Sequence, residues 1–199
     1  MAQVPSHGTK PANPHGAMGA GSMGAGASPH AGMQGGMPGH GMTSKRAEMA
    51  KECGITDASL EKGTTLTQRA NGSWSPVKTD ADAKATDTGM ARIWHEKAWF
   101  VDMQETGATG DTMHITRMCF RPDGTIVKSS DQYMAPNKCG CTRITETTYE
   151  GGKPVKREQN FYKIANHEKI EAPKDAASYP RVPEFKKIEQ APFYGLVKK

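Results

Sequence analysis

The clearest pattern of apolar and polar positions lies between residues 111 and 164. Thr112 to Phe120 and Thr125 to Met134 are β-forming runs that flank Pro122-Asp123-Gly124. Asp-Gly supplies residues that tolerate positive φ, so the pattern predicts a hairpin. Arg143 to Tyr149 and Lys153 to Ile164 flank Gly151-Gly152 and predict a second one. Two-residue turns would fix both registers. Phe120 then faces Val127, Met118 faces Ser129 and His114 faces Tyr133. In the second hairpin Glu146 faces Arg157 and Thr148 faces Val155. A cross-strand pair of opposite charge adds about 0.2–1 kcal/mol.

Upstream, Ala91 to Met103 contains Ile93-Trp94 and Trp99-Phe100-Val101. Apolar residues fall at both parities, so the run reads as one buried strand, with an amphipathic helix as the alternative over so short a run. Thr64 to Gln68 predicts a further strand, Asn71-Gly72-Ser73 a turn, and Trp74-Ser75-Pro76 an extended exit. Helix signals precede these. Thr43-Ser44 can cap a helix over Lys45 to Cys53, with Lys51 in its last turn and Gly54 at C′. A shorter turn would be capped by Thr56, turn Leu60 inward and end at Gly63. Residues 78–90 read as a polar loop with some helical character.

These elements predict a mainly β or α+β fold. It would be an antiparallel meander of about four to six strands over residues 43–170, with a short N-terminal helix and flexible N- and C-terminal arms. From His167 onward Pro173, Pro180, Pro183 and Pro192 interrupt regular structure. Tyr179, Phe185, Phe193, Tyr194 and Leu196 are interspersed, so 171–199 reads as an extended arm docked on the domain or on a partner. The two hairpins also echo each other. Residues 123–128 align with 151–156 at an offset of 28, and Tyr133 falls on Phe161. The echo is similar to the Tyr/Gly/Lys hairpin repeats of MORN-type sheets. A repeat array generally needs about three or more copies, so we read a meander that uses similar turns twice.

Composition changes this picture at the N-terminus. Hydrophobic residues make up 35% of 199, and the longest apolar run is Ala98 to Val101, far short of the roughly 20 residues of a membrane span. Residues 1–42 hold 11 of the 22 Gly, 6 of the 12 Met and 4 of the 7 His, with no acid, no aromatic and the single base Lys10. Nothing there offsets the entropy of ordering a backbone, so a disordered arm is expected. The net charge of +5 comes from bases scattered among acids, as in Lys51-Glu52, which reads as a solvated surface rather than a nucleic-acid stripe. No basic n-region or apolar h-region opens the chain. Ala2-Gln3 before a polar Gly/Pro stretch looks like the start of a mature exported protein, periplasmic or extracellular, with the cytoplasm as the alternative.

Four sets of residues carry candidate chemistry. The first is the arm, with His7, His15, His30 and His40 among Met18, Met23, Met33, Met37 and Met42. Thioethers suit Cu(I) and imidazoles suit copper in either oxidation state. Met33, Met37, His40 and Met42 are therefore the candidate copper ligands. The arm resembles, in composition, the Met/His-rich tails of exported copper-handling proteins. The second set is Cys53, Cys119, Cys139 and Cys141. In an oxidising compartment they predict two disulfides, Cys119 to one member of the Cys139-Gly140-Cys141 pair and Cys53 to the other. The third is a possible acid/base set of His95, Glu96, His114, Asp131 and His167, without any nucleophile elbow, P-loop or dinucleotide fingerprint beside it. The fourth is Trp94, Trp99, Phe100, Tyr133, Tyr149, Phe161 and Tyr162, able to line an interface but needed for the core in a chain with three Leu. Together these favour a non-enzymatic exported accessory or assembly protein with protein partners, or a homo-oligomer, that docks through extended arms. The alternative is a copper-binding protein that uses the Met/His-rich arm, with or without the thiolates of Cys119, Cys139 and Cys141.

Overall fold

The computed structural model describes residues 40–78, 82, 87–107, 110–181 and 185–197. The Met/His arm up to residue 39 and most of the 78–90 loop lie outside the described residues. Nine antiparallel strands form one open sheet: β1 (Thr64–Gln68), β2 (Trp74–Pro76), β3 (Gly89–His95), β4 (Trp99–Thr106), β5 (Met113–Phe120), β6 (Ile126–Ala135), β7 (Cys141–Glu150), β8 (Lys153–Lys163) and β9 (Lys169–Ile170). Their order is β2-β1-β3-β4-β5-β6-β7-β8-β9. The fold is thus mainly β, with more strands than the four to six expected. The run Ala91–Met103 is two strands, folded at Glu96-Lys97-Ala98 so that Trp94 faces Phe100 and Ile93 faces Val101. Its apolar residues fall at both parities because both faces of the sheet are covered here. Trp74–Pro76 and Lys169–Ile170 join as short edge strands.

The hairpins form as expected, but each contains a bulge that the turn alone did not reveal. Met118↔Ser129 and His114↔Tyr133 hold, whereas Phe120 faces Ile126 and Cys119 faces Lys128, leaving Val127 as the extra residue. In the second hairpin Tyr149 faces Pro154 and Thr148 faces Lys156, leaving out Val155. The expected pair Glu146–Arg157 is therefore replaced by Glu146↔Glu158 and Thr147↔Arg157. Both bulges sit at the same place in the 28-residue echo. An extra residue increases local twist, which a wide sheet needs. The first turn also differs: Gly124 alone takes positive φ (+78°). Asp123 instead accepts the Thr125 N–H at 2.9 Å, giving a three-residue loop. Gly151 and Gly152, at +54° and +76°, form the two-residue turn.

Alternation assigns each side chain to one of two faces. On one face lie Trp94, Phe100 and Cys119, covered by Met49 and Ala50 of helix α1 (His40–Glu52) and by Cys53 directly after it. The helix starts before the expected Thr43 cap. It ends as expected, with Gly54 at φ +76° and the Ile55 N–H donating to Ala50 O at 2.9 Å. A short helix α2 (Asp57–Leu60) follows, and the Leu60 carbonyl accepts the Trp94 indole N–H at 3.0 Å. On the opposite face Leu66, Ile93, Val101, Met103, Met118, Phe120 and Ile126 meet Ile188, Ala191 and Phe193. The C-terminal segment is therefore packed on its own sheet over its described residues, and is not a free arm. The Lys186 carbonyl accepts from Ile126 N–H and the Ile188 N–H donates to Gly124 O, which locks it to the first turn. Six of the seven aromatic candidates, all but Tyr162, are buried core residues.

The helix-covered face also holds a charged pair. Arg117 Nε stands 3.4 Å from Asp102 Oδ1, and both residues are buried. Burial raises the Asp102 carboxyl above its ordinary value of 3.8, and the charges of Arg117, Arg46 and Arg92 only partly oppose this. Burial lowers Arg117 in turn.

Phe193 is fully buried and meets Trp74 edge-to-face at 5.3 Å between ring centroids. Phe193→Ala should lower unfolding free energy by about 3–5 kcal/mol in a denaturant titration. Asp102 should show a pH signature of definite sign. Its pKa is raised in the folded state, so the stabilisation from its extra proton is complete below 3.8 and is lost as pH rises through the folded value. The stability of the wild-type chain relative to Asp102→Asn should then fall with rising pH and level off above that value, as read from denaturant curves at stepped pH.

Candidate functional site

On the face covered by the C-terminal segment, two apolar clusters are separated by a polar layer. One cluster surrounds Val101 and Met118, and the other joins Tyr133, Ala135, Cys141, Phe161 and Tyr179. Between them β5, β6 and β7 place His114, Thr116, Ser129, Asp131, Arg143, Thr145 and Thr147 on the same face, as the registers require. The sequence places them there because the strands alternate while these positions carry polar types instead of Val or Ile.

Arg143 organises the layer. Its Nη2 donates to Asp131 Oδ2 at 2.7 Å and to the Pro180 carbonyl at 2.8 Å, and its Nη1 donates to the Tyr179 carbonyl at 3.3 Å. Its guanidinium carbon lies 5.6 Å from the centroid of the Tyr133 ring. Tyr133 in turn meets His114 at 4.6 Å and Tyr179 at 5.2 Å between centroids. His114 Nδ1 stands 3.8 Å from Asp131 Oδ1, beyond hydrogen-bond length. Ser129 Oγ and Tyr149 Oη lie 3.1 Å apart. Five buried polar atoms of the layer lack a hydrogen-bond partner: His114 Nδ1, Thr116 Oγ1, Asp131 Oδ1, Arg143 Nε and Thr147 Oγ1. Buried polar groups are normally satisfied, so this concentration marks a polar interior able to order water or a small polar molecule. His114 also lines an open groove of about 420 Å³ with Gln68, Glu105, Thr112 and Pro180.

Of the expected acid/base residues, the fold brings His114 to Asp131 across two strands, and leaves His95 and Glu96 together elsewhere. His95 pairs with Trp99, whereas His114 pairs with Glu105 on the same strand. Six residues of strand separate them by roughly 20 Å. His95 stacks flat on Trp99 at 3.6 Å, beside Glu96 in a second groove of about 380 Å³. His167 lies in the β8–β9 loop at φ +57°. Sequence reading missed Arg143, whose parity could have flagged it: it shares a strand face with Cys141 and Thr145. Met33 and Met37 lie outside the described residues. His40 and Met42 fall in the first turn of α1 by backbone alone. Among the described residues no cluster of three or more His, Cys, Asp or Glu could hold a metal ion.

The cysteines pair as Cys53–Cys119 and Cys139–Cys141, not across the hairpins. Gly140, at φ +59°, bends the chain so that Cys139 and Cys141 stand 5.0 Å apart between Cα atoms, closer than a straight strand allows. Cys119 points to the helix-covered face, where Cys53 meets it. Chain entropy distinguishes the two bonds. A separation of 66 residues corresponds to about 4 kcal/mol of stabilisation, and a separation of 2 to about 1.5 kcal/mol. Comparison with protein-family models, with curated proteins and with solved structures returned no match.

Arg143→Met should cost about 3–5 kcal/mol, because it strands the Asp131 carboxylate and releases two carbonyls. Asp131→Asn combined with Arg143→Met should cost less than the two single changes summed. A double-mutant cycle in denaturant measures both.

Proposed function

We propose that this chain is a non-enzymatic exported accessory or assembly protein that engages a partner through its N-terminal arm. The observation that carries this reading is the anchoring of α1. The Cys53–Cys119 bond, the Lys45–Glu146 ion pair at 2.6 Å and the Lys128–Glu52 ion pair fix the helix to the sheet. The Gly/Met/His-rich residues before His40 are thus joined to a rigid base. The C-terminal segment is already occupied by its own sheet, so partner docking falls to the N-terminal arm. Two paired cysteine couples suit an oxidising location outside the cytosol. No helix among the described residues is long and apolar enough to cross a membrane.

Copper binding is the second reading, favoured by Met33, Met37, His40 and Met42. Affinity capture with the full chain from a cell-envelope extract should recover a stoichiometric partner that is lost when residues 1–39 are removed. A Cu(I) titration against a competing chelator should show no tight site. Tight Cu(I) binding that disappears in the variant Met33→Leu/Met37→Leu/His40→Ala/Met42→Leu would replace the first reading with the second.

A further inference from the structure

Resting on the exported location proposed above and going beyond the non-enzymatic reading, we infer that the Cys139–Cys141 disulfide is a thiol–disulfide exchange site that oxidises cysteine pairs of other exported chains. Four observations converge on it. The bond joins residues only two apart, at the end of the β6–β7 connection, where the ladder already pairs Ala135 with Cys141. It therefore holds no separate elements together, whereas Cys53–Cys119 pins a helix to the sheet. The weak chain-entropy contribution of so short a loop means that reduction leaves a folded dithiol state.

The two sulfurs are unequal. Cys139 is partly exposed beside exposed Lys138 and Gly140, whereas Cys141 is 1% exposed among Tyr133, Ala135, Phe161 and Tyr179. An incoming thiolate reaches Cys139 first, and Cys141 remains shielded as the leaving and resolving thiol. The charges also favour exchange. Residues 135–141 contain no acid, and Lys138 adjoins Cys139. A neighbouring cation favours the thiolate. Lys163 lies opposite Cys141 in register and is paired with Glu168, while Lys138 is exposed next to Cys139 in the chain.

A thiolate of the partner dithiol attacks Cys139 Sγ; the Cys139–Cys141 bond breaks, and Cys141 leaves as a thiolate that takes up a proton. The partner's second thiolate then attacks its own sulfur in the mixed disulfide and releases Cys139. The partner is oxidised by two electrons, and this chain holds the Cys139/Cys141 dithiol. A small-molecule disulfide such as oxidised glutathione regenerates the bond by the reverse exchange.

The test uses the full chain and a reduced two-cysteine peptide. Alkylation and mass spectrometry of the wild-type chain should find two new thiols, at Cys139 and Cys141, for each peptide oxidised, with Cys53–Cys119 intact. Cys141→Ser, incubated with a one-cysteine peptide carried as its mixed disulfide with glutathione, should trap a mixed disulfide on Cys139, because the thiol it releases leaves into solution. Cys139→Ser should trap at least tenfold less, because Cys141 is shielded. Peptide oxidation no faster than with Cys139→Ser/Cys141→Ser would overturn the proposal. So would equal trapping by the two single variants, or reduction of Cys53–Cys119 before Cys139–Cys141. The thiol count on the wild-type chain decides the matter even if a variant fails to fold.

Discussion

The ion pair between Arg143 and Asp131 is the constraint around which the core is arranged. An arginine 1% exposed in the middle of a sheet face is tolerable only if its charge and most of its donors are met there. Asp131 meets the charge from the neighbouring strand, and the carbonyls of Tyr179 and Pro180 accept two further Nη hydrogens. The same group thus closes the polar layer and holds the C-terminal segment over it. Tyr179 is fixed at both ends, since its ring packs on Tyr133 and Phe161 while its carbonyl serves Arg143. The tail is thereby part of the core.

The opposite face is held by different means. There a helix with little apolar surface of its own covers Trp94, Phe100 and Cys119. Packing alone would hold it weakly, and the long-range Cys53–Cys119 bond supplies what the small contact lacks. The Asp102–Arg117 pair lies beneath it and works against stability, because both ions are worse solvated there than in water. The two disulfides of this chain consequently differ in kind. One joins distant elements, and the other closes a loop that the strand ladder already holds.

Much of this was legible from local rules. The hairpin at 151–152, the strands on either side of 122–124, the cap at Gly54 and the 28-residue echo follow from turn chemistry and β-forming runs, whose physics acts within a few residues. The bulges at Val127 and Val155 were not legible, because each satisfies the twist of the whole sheet and leaves the turn sequence unchanged. The split of Ala91–Met103 was hidden for a related reason: coverage of both faces removes the alternation that marks a strand's limits.

The sequence by itself determined the β-rich class, the hairpin turns, the end of the helix and the sharp compositional boundary near residue 42. These depend on residues close together along the chain. Only the tertiary structure decided which cysteines meet, which histidine stands near a carboxylate and where the C-terminal aromatics lie. Cys53 and Cys119 are 66 residues apart in the chain. Arg143 meets a carbonyl 37 residues away. Contacts at such separations follow from strand order and from coverage of the two faces, which neither turn chemistry nor hydrophobic period encodes.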